Sequence, residues 1–223
     1  MRSIVSLLLV LACGLAQAMT LEEMIDAKKY AYQALGLSVE RPLREKVFVL
    51  PDDRLNWLKG FDRDSGFAGW ENYENYSPNA HDVELVNQYV QLLPLRHRKV
   101  IEEHLGGIVF VKNFSGAAMT DWVVDEKGAI VYYIIFNSSQ LSDSLSDWLT
   151  FKSDSMFEES TTDKVVVNVE GDYRALLYGL LHEVSHIVDY EMGVSPYVDT
   201  WYRSYVTKHD NESKFTEGVW VDI

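Results

Sequence analysis

Two of the six histidines in this 223-residue chain, His182 and His186, stand four residues apart with Glu183 directly after the first. On a helix, positions i and i+4 lie one above the other, so both imidazoles can reach one metal ion. The glutamate between them sits where it can take a proton from a water that the metal activates. His182-Glu183-Val184-Ser185-His186 reads H-E-x-x-H, and Zn²⁺ is the metal this donor set suits. Two histidines do not complete a catalytic zinc site, which has three protein ligands and one open position. Asp189 shares their face but sits roughly 10 Å along the helix axis from His182, too far to close on the same ion without a helix break. Its expected role is to orient an imidazole or anchor a neighbouring strand. The third ligand must then come from a later segment, where Glu212 and Glu217 are the candidates. His81, His97, His104 and His209 lack ligand spacing, and surface or helix positions are the default for them; His209, between Tyr205 and Glu212, has contact with a substrate oxyanion as its lesser alternative to no role.

The elements that position these residues follow from patterning. Residues 173–192 read as a long helix ended by Gly193. Leu177, Leu180, Leu181, Val184, Ile187 and Val188 form its expected buried stripe. Ala175, Gly179, His182, Glu183, His186 and Asp189 take the other side, and Gly179 leaves room there for a strand or a substrate. At the other end of the chain, residues 21–37 read as an amphipathic helix, with Thr20 and Glu23 forming a capping box. Helices are expected over 83–93 and 95–105, separated by Pro94 and stopped by Gly106-Gly107. Strands follow at 108–114, 122–124 and 129–136, the last two joined by a turn at 125–128, with a short one at 165–169. Residues 143–151 read as helical or irregular, and 51–80 as an irregular segment pinned by its aromatics. The whole is α+β, one domain over residues 19–223 with a small mixed sheet and helices at both ends.

Residues 1–18 carry a different signal. Arg2, the apolar run from Ile4 to Leu11 and Ala16-Gln17-Ala18 have the layout of a secretory signal peptide. The expected product is exported, periplasmic or secreted. Leu11-Ala12-Cys13-Gly14 also resembles a lipoprotein box, which would anchor the chain through Cys13. Cys13 is the only cysteine, so the mature chain has no thiolate ligand and no disulfide. The net charge of −14 becomes −15 when Arg2 leaves with the signal. Such a chain is repelled by nucleic acid and by anionic membranes. Its sequence contains no second apolar run long enough for an integral membrane span.

His182 to Tyr190, H-E-V-S-H-I-V-D-Y, resembles the zinc helix of the anthrax lethal factor family of zincin peptidases, including the Asp three residues after the second histidine. Ser204-Tyr205 followed by Asn211-Glu212, Phe215 and Glu217 is similar to that family's second motif, with the tyrosine seven residues before the ligand glutamate. The resemblance spans roughly residues 173–220. It implies a zincin-like domain that hydrolyses peptide or protein substrates. It also implies Glu212 as third zinc ligand, Glu217 as a supporting carboxylate or the alternative ligand, Glu183 as general base, and Tyr205 as the group that helps stabilise the oxyanion. Zincins bind extended substrate along an edge strand. Residues 129–136 are the candidate for it, and a buried central strand is the competing reading of so apolar a run. Two other functions share the motif: a zinc-stabilised binding or scaffold protein, which would show no open groove beside Glu183, and a zinc hydrolase of a non-protein amide.

Overall fold

The computed structural model describes residues 20–157, 164–193 and 200–206. The signal segment with Cys13 lies outside these residues, as do His209, Glu212 and Glu217. Helix α1 (Leu21–Leu35) starts in the capping box of Thr20 and Glu23 and ends at Gly36, whose φ of 59° closes the last turn. Helix α2 (Leu43–Lys46) leads into strand β1 (Val47–Phe48). Helix α3 (Asp52–Asp64) and strand β2 (Glu74–Asn75) come next, then helices α4 (Ala80–Leu92) and α5 (Leu95–His104). Strands β3 (Leu105–Lys112), β4 (Ala118–Val124) and β5 (Ile130–Asn137) form most of the sheet. Helices α6 (Leu145–Asp154), α7 (Leu176–Met192) and α8 (Thr200–Tyr205) complete the described chain.

The sheet runs β1-β3-β5-β4, with β2 pairing beside β1 on the outer side of β3. Pairs β1/β3 and β3/β5 are parallel, whereas β4/β5 and β2/β3 are antiparallel. The result is a mixed α/β architecture with one small mixed sheet covered on both faces. Tyr132, Ile134 and Phe136 point to the side of α4, α5 and α7; Val131, Tyr133 and Ile135 point to the side of α3. Strand β5 is buried from Val131 to Phe136 because both of its faces are covered, which is why it reads as an unbroken apolar run.

That topology decides between the two readings of residues 129–136, against the edge strand and for the buried central one. Residues 129–136 lie between β3 and β4, so β5 is central and β4 forms the edge among the described residues. The β4–β5 turn is closed by Asp125, whose Oδ1 accepts from the backbone N–H of Lys127 and Ala129. Gly128 takes φ 85° in this turn. Gly106 and Gly107 are also reassigned. They open β3 rather than end a helix, because a Cβ on Gly106 would lie 2.5 Å from Val131 and one on Gly107 2.5 Å from Phe48. Two further differences have local causes. Residues 52–64 form α3, with Asp52 and Asp53 favourable at its N-terminus and Leu55 and Leu58 buried. Residues 165–169 make no ladder; their backbone is held instead by Ser146 and Thr150 hydroxyls on α6.

Candidate metal centre

Helix α7 crosses the sheet between α4 and α5 on one flank and β4 on the other. Leu176, Leu180, Val184 and Ile187 are buried against the core, spaced as one face of a 3.6-residue helix. The face is rotated from the expected stripe. Leu181 is 39 % exposed, whereas Gly179 and Glu183 are buried. Gly179 lies against the sheet, and a Cβ there would come within 3.0 Å of the Phe136 ring and 3.3 Å of Gln140. Glu183 is buried because it faces β4, where Thr120 Oγ1 donates to its Oε2 at 2.7 Å. His182 and His186 flank it on the solvent side of the same helix.

The two imidazoles stand perpendicular, with ring centroids 4.9 Å apart. One ring nitrogen from each, together with a Glu183 carboxylate oxygen, lies within 4.8 Å of the others. This is the one group among the described residues whose His, Cys, Asp or Glu atoms could together hold a metal ion. Asp189 is not in it. Two imidazole nitrogens are donors that suit Zn²⁺. Burial holds the His182 pKa below the ordinary histidine value, with the charges of His186 and Lys152 adding to the shift and Glu183 opposing it. A depressed pKa keeps the ring neutral, which is the ligand form.

Tyr205 is placed elsewhere. Its hydroxyl donates to Gly128 O at 2.6 Å, and its ring stacks on Trp122. Gly128 lies beyond the Val124 end of β4, so the hydroxyl is about 13 Å or more along the strand from Thr120. The described structure brings His182, Glu183 and His186 together and leaves Tyr205 at the hairpin turn.

Beside the triplet lies a cleft of about 640 Å³. Ser115 to Ala118, leading into β4, form one wall and α6 the other; Gly179 and Gln140 are at the floor, and His182 and Glu183 line it. Lys28 of α1 reaches Asp121 at 2.7 Å and sits 4.6 Å over the Trp122 ring. Helix α1 therefore packs on the later half of β4, away from the residues that line the cleft. Four neighbours of the motif were not found from the sequence: Thr120, Trp148, Lys152 and Tyr178. Thr120 lies just outside the apolar run that marks its strand. Tyr178 stands four residues before His182 on the expected helix, so its spacing was there to be read; Trp148 and Lys152 are on α6, which only the fold places beside α7. No helix among the described residues is long and apolar enough to cross a membrane. The chain matches no family model, no curated protein and no solved structure.

Proposed function

We propose that this chain is an exported zinc metallopeptidase of the zincin type. The observation that carries the reading is the position of the His182–Glu183–His186 group. It sits at the wall of an open cleft whose opposite approach is the edge strand of an antiparallel pair. A scaffold protein that used the metal only for stability would not need a substrate-sized groove beside Glu183.

His182 and His186 would hold the ion, with Glu212 as the proposed third ligand. When bound there, zinc would supply Lewis-acid polarisation of the scissile carbonyl and a water acidified enough to attack at neutral pH. The remaining work belongs to the chain. Thr120 Oγ1 holds Glu183 Oε2, which leaves Oε1 to accept the proton of the attacking water and return it to the leaving nitrogen. The β4 approach, Ser115-Gly116-Ala117-Ala118, has only small side chains, so an extended peptide can come close to its backbone and pair with it. Tyr205 would serve the oxyanion only after its hydroxyl left Gly128.

The test joins metal analysis to cleavage. Purified protein is expected to hold one zinc per chain and to cleave members of a peptide library. Glu183→Gln is expected to keep the metal and lose turnover by several orders of magnitude. Absence of stoichiometric zinc, or undiminished cleavage by Glu183→Gln, sinks the reading.

A further inference from the structure

The α6 wall of the cleft carries a cation with an unusual setting. Lys152 Nζ donates to Tyr178 Oη at 2.8 Å. It lies 4.5 Å from the centroid of the Tyr178 ring and 5.3 Å from that of Trp148. Tyr178 in turn stacks on His182, with centroids 6.0 Å apart and planes 16° from parallel. The ammonium is thus separated from the proposed metal ligand by a single aromatic ring. All four residues line the same cleft. Lys152 forms no ion pair among the described residues. Among the described residues its hydrogen bond to Tyr178 uses one of three ammonium protons, which leaves two for a ligand.

The other charges on this wall stand away from it. Asp147 is in the first turn of α6, where the N-cap Ser144 Oγ donates to its Oδ2 at 2.7 Å, and Asp143 lies before that helix. Lys152 is in the last turn, about 7 Å of helix rise from Asp147, and Asp143 lies before the first turn. Along α6 the wall is therefore acidic toward its start and basic toward its end, with Glu183 of α7 also lining the cleft beside His182. In a protein of net charge −14, a lysine that faces a groove and has no ion pair among the described residues selects rather than repels an acidic ligand.

We infer that Lys152 is a specificity-determining residue that makes this cleft select peptides presenting a carboxylate to the α6 wall, as an acidic side chain or as a free C-terminus. The inference rests on the cleft being the substrate site of the proposed peptidase. The cation is held by a hydroxyl and two ring faces, so little of its freedom remains to be lost when a carboxylate binds. A methionine would cover Trp148 and Tyr178 as the lysine stem does, so charge can be separated from packing by substitution.

The test uses full-length Glu183→Gln protein, which binds without turnover, and calorimetric titration with matched peptides. The set pairs Asp or Glu with Asn or Gln on each side of the cleavable bond, and a free with an amidated C-terminus. Carboxylate peptides are expected to bind about tenfold more tightly than their amide counterparts at low salt, and less selectively as salt rises. Adding Lys152→Met should bring the ratio near one, Lys152→Glu should invert it in favour of cationic peptides, and Lys152→Arg should preserve it. Preference lost on amidating the C-terminus identifies the chain end as the recognised group; preference that survives amidation identifies the side chain. Equal affinity for acid and amide peptides, or a ratio that persists in Lys152→Met, overturns the inference. Glu183-dependent cleavage without carboxylate preference removes this inference and leaves the peptidase reading. Carboxylate preference without any cleavage by wild-type protein does the reverse.

Discussion

At the scale of single residues, the site depends on how one buried carboxylate is held. Glu183 is 5 % exposed, and a buried carboxylate needs a partner for its charge. Its partner is Thr120, a hydroxyl from the edge strand, which also lies 3.2 Å from the Glu183 carbonyl oxygen. The bond fixes one oxygen and so determines where the other points. Thr120→Val keeps the shape and removes the donor. It is expected to lower kcat by about 10- to 100-fold, with KM and zinc content little changed, as for other groups that orient a reacting residue. Thr120→Ser restores the hydroxyl and is expected to recover most of the rate. Steady-state kinetics on one peptide, with metal analysis of each variant, checks both. A Thr120→Val enzyme that loses zinc in proportion to its rate would show that the hydroxyl serves the fold of the site rather than Glu183.

The scale of elements shows what the sequence could disclose. H-E-V-S-H on an apolar helix was legible because one element contains both the spacing and the face. The capping box before α1 and the Pro94 break between α4 and α5 were legible for the same reason: each is a local rule. The rotation of α7 was not. Leu181 belongs to the apolar spacing, yet it is exposed, and Glu183 is buried, because β4 packs on one flank of α7 and α5 on the other. The edge strand was missed because the most apolar strand is the one covered on both faces, which is the centre of the sheet. Gly179 was noticed, and its reason lies in a different element. A Cβ there would press on Phe136 at 3.0 Å, so the glycine sets how closely α7 approaches β5. Gly179→Val adds bulk at that contact and is expected to cost about 1–3 kcal/mol, as overpacking does. It should be read as a lowered midpoint in denaturant unfolding. A variant as stable as wild type would mean that the helix can lift from the sheet without penalty.

At the scale of the whole molecule, pH sets two effects against each other. The chain has 34 acidic and 20 basic residues, so lowering pH from neutrality reduces its net charge and its self-repulsion. Two partly desolvated histidines work in the opposite direction. His97 on α5 packs against α7, with Nε2 2.9 Å from Ser185 Oγ, and its buried Nδ1 has no hydrogen-bond partner among the described residues. Burial depresses its pKa, and burial is also the first cause of the lowered pKa of His182. A histidine with a depressed folded-state pKa is protonated in the unfolded chain first. As pH falls below the ordinary value of 6.5, the unfolded state takes up a proton that the folded state does not, and stability is lost until the folded ring also titrates. Chelator-treated protein avoids the separate stabilisation that a bound metal would add. Denaturant midpoints of this protein and of His97→Gln are therefore expected to diverge as pH drops from 7 through 6.5, with the His97 protein losing more. The common change in net charge cancels in that difference. Parallel curves for the two proteins over this range would show that His97 titrates alike in the folded and unfolded chains, and that its contact with α7 carries no proton linkage.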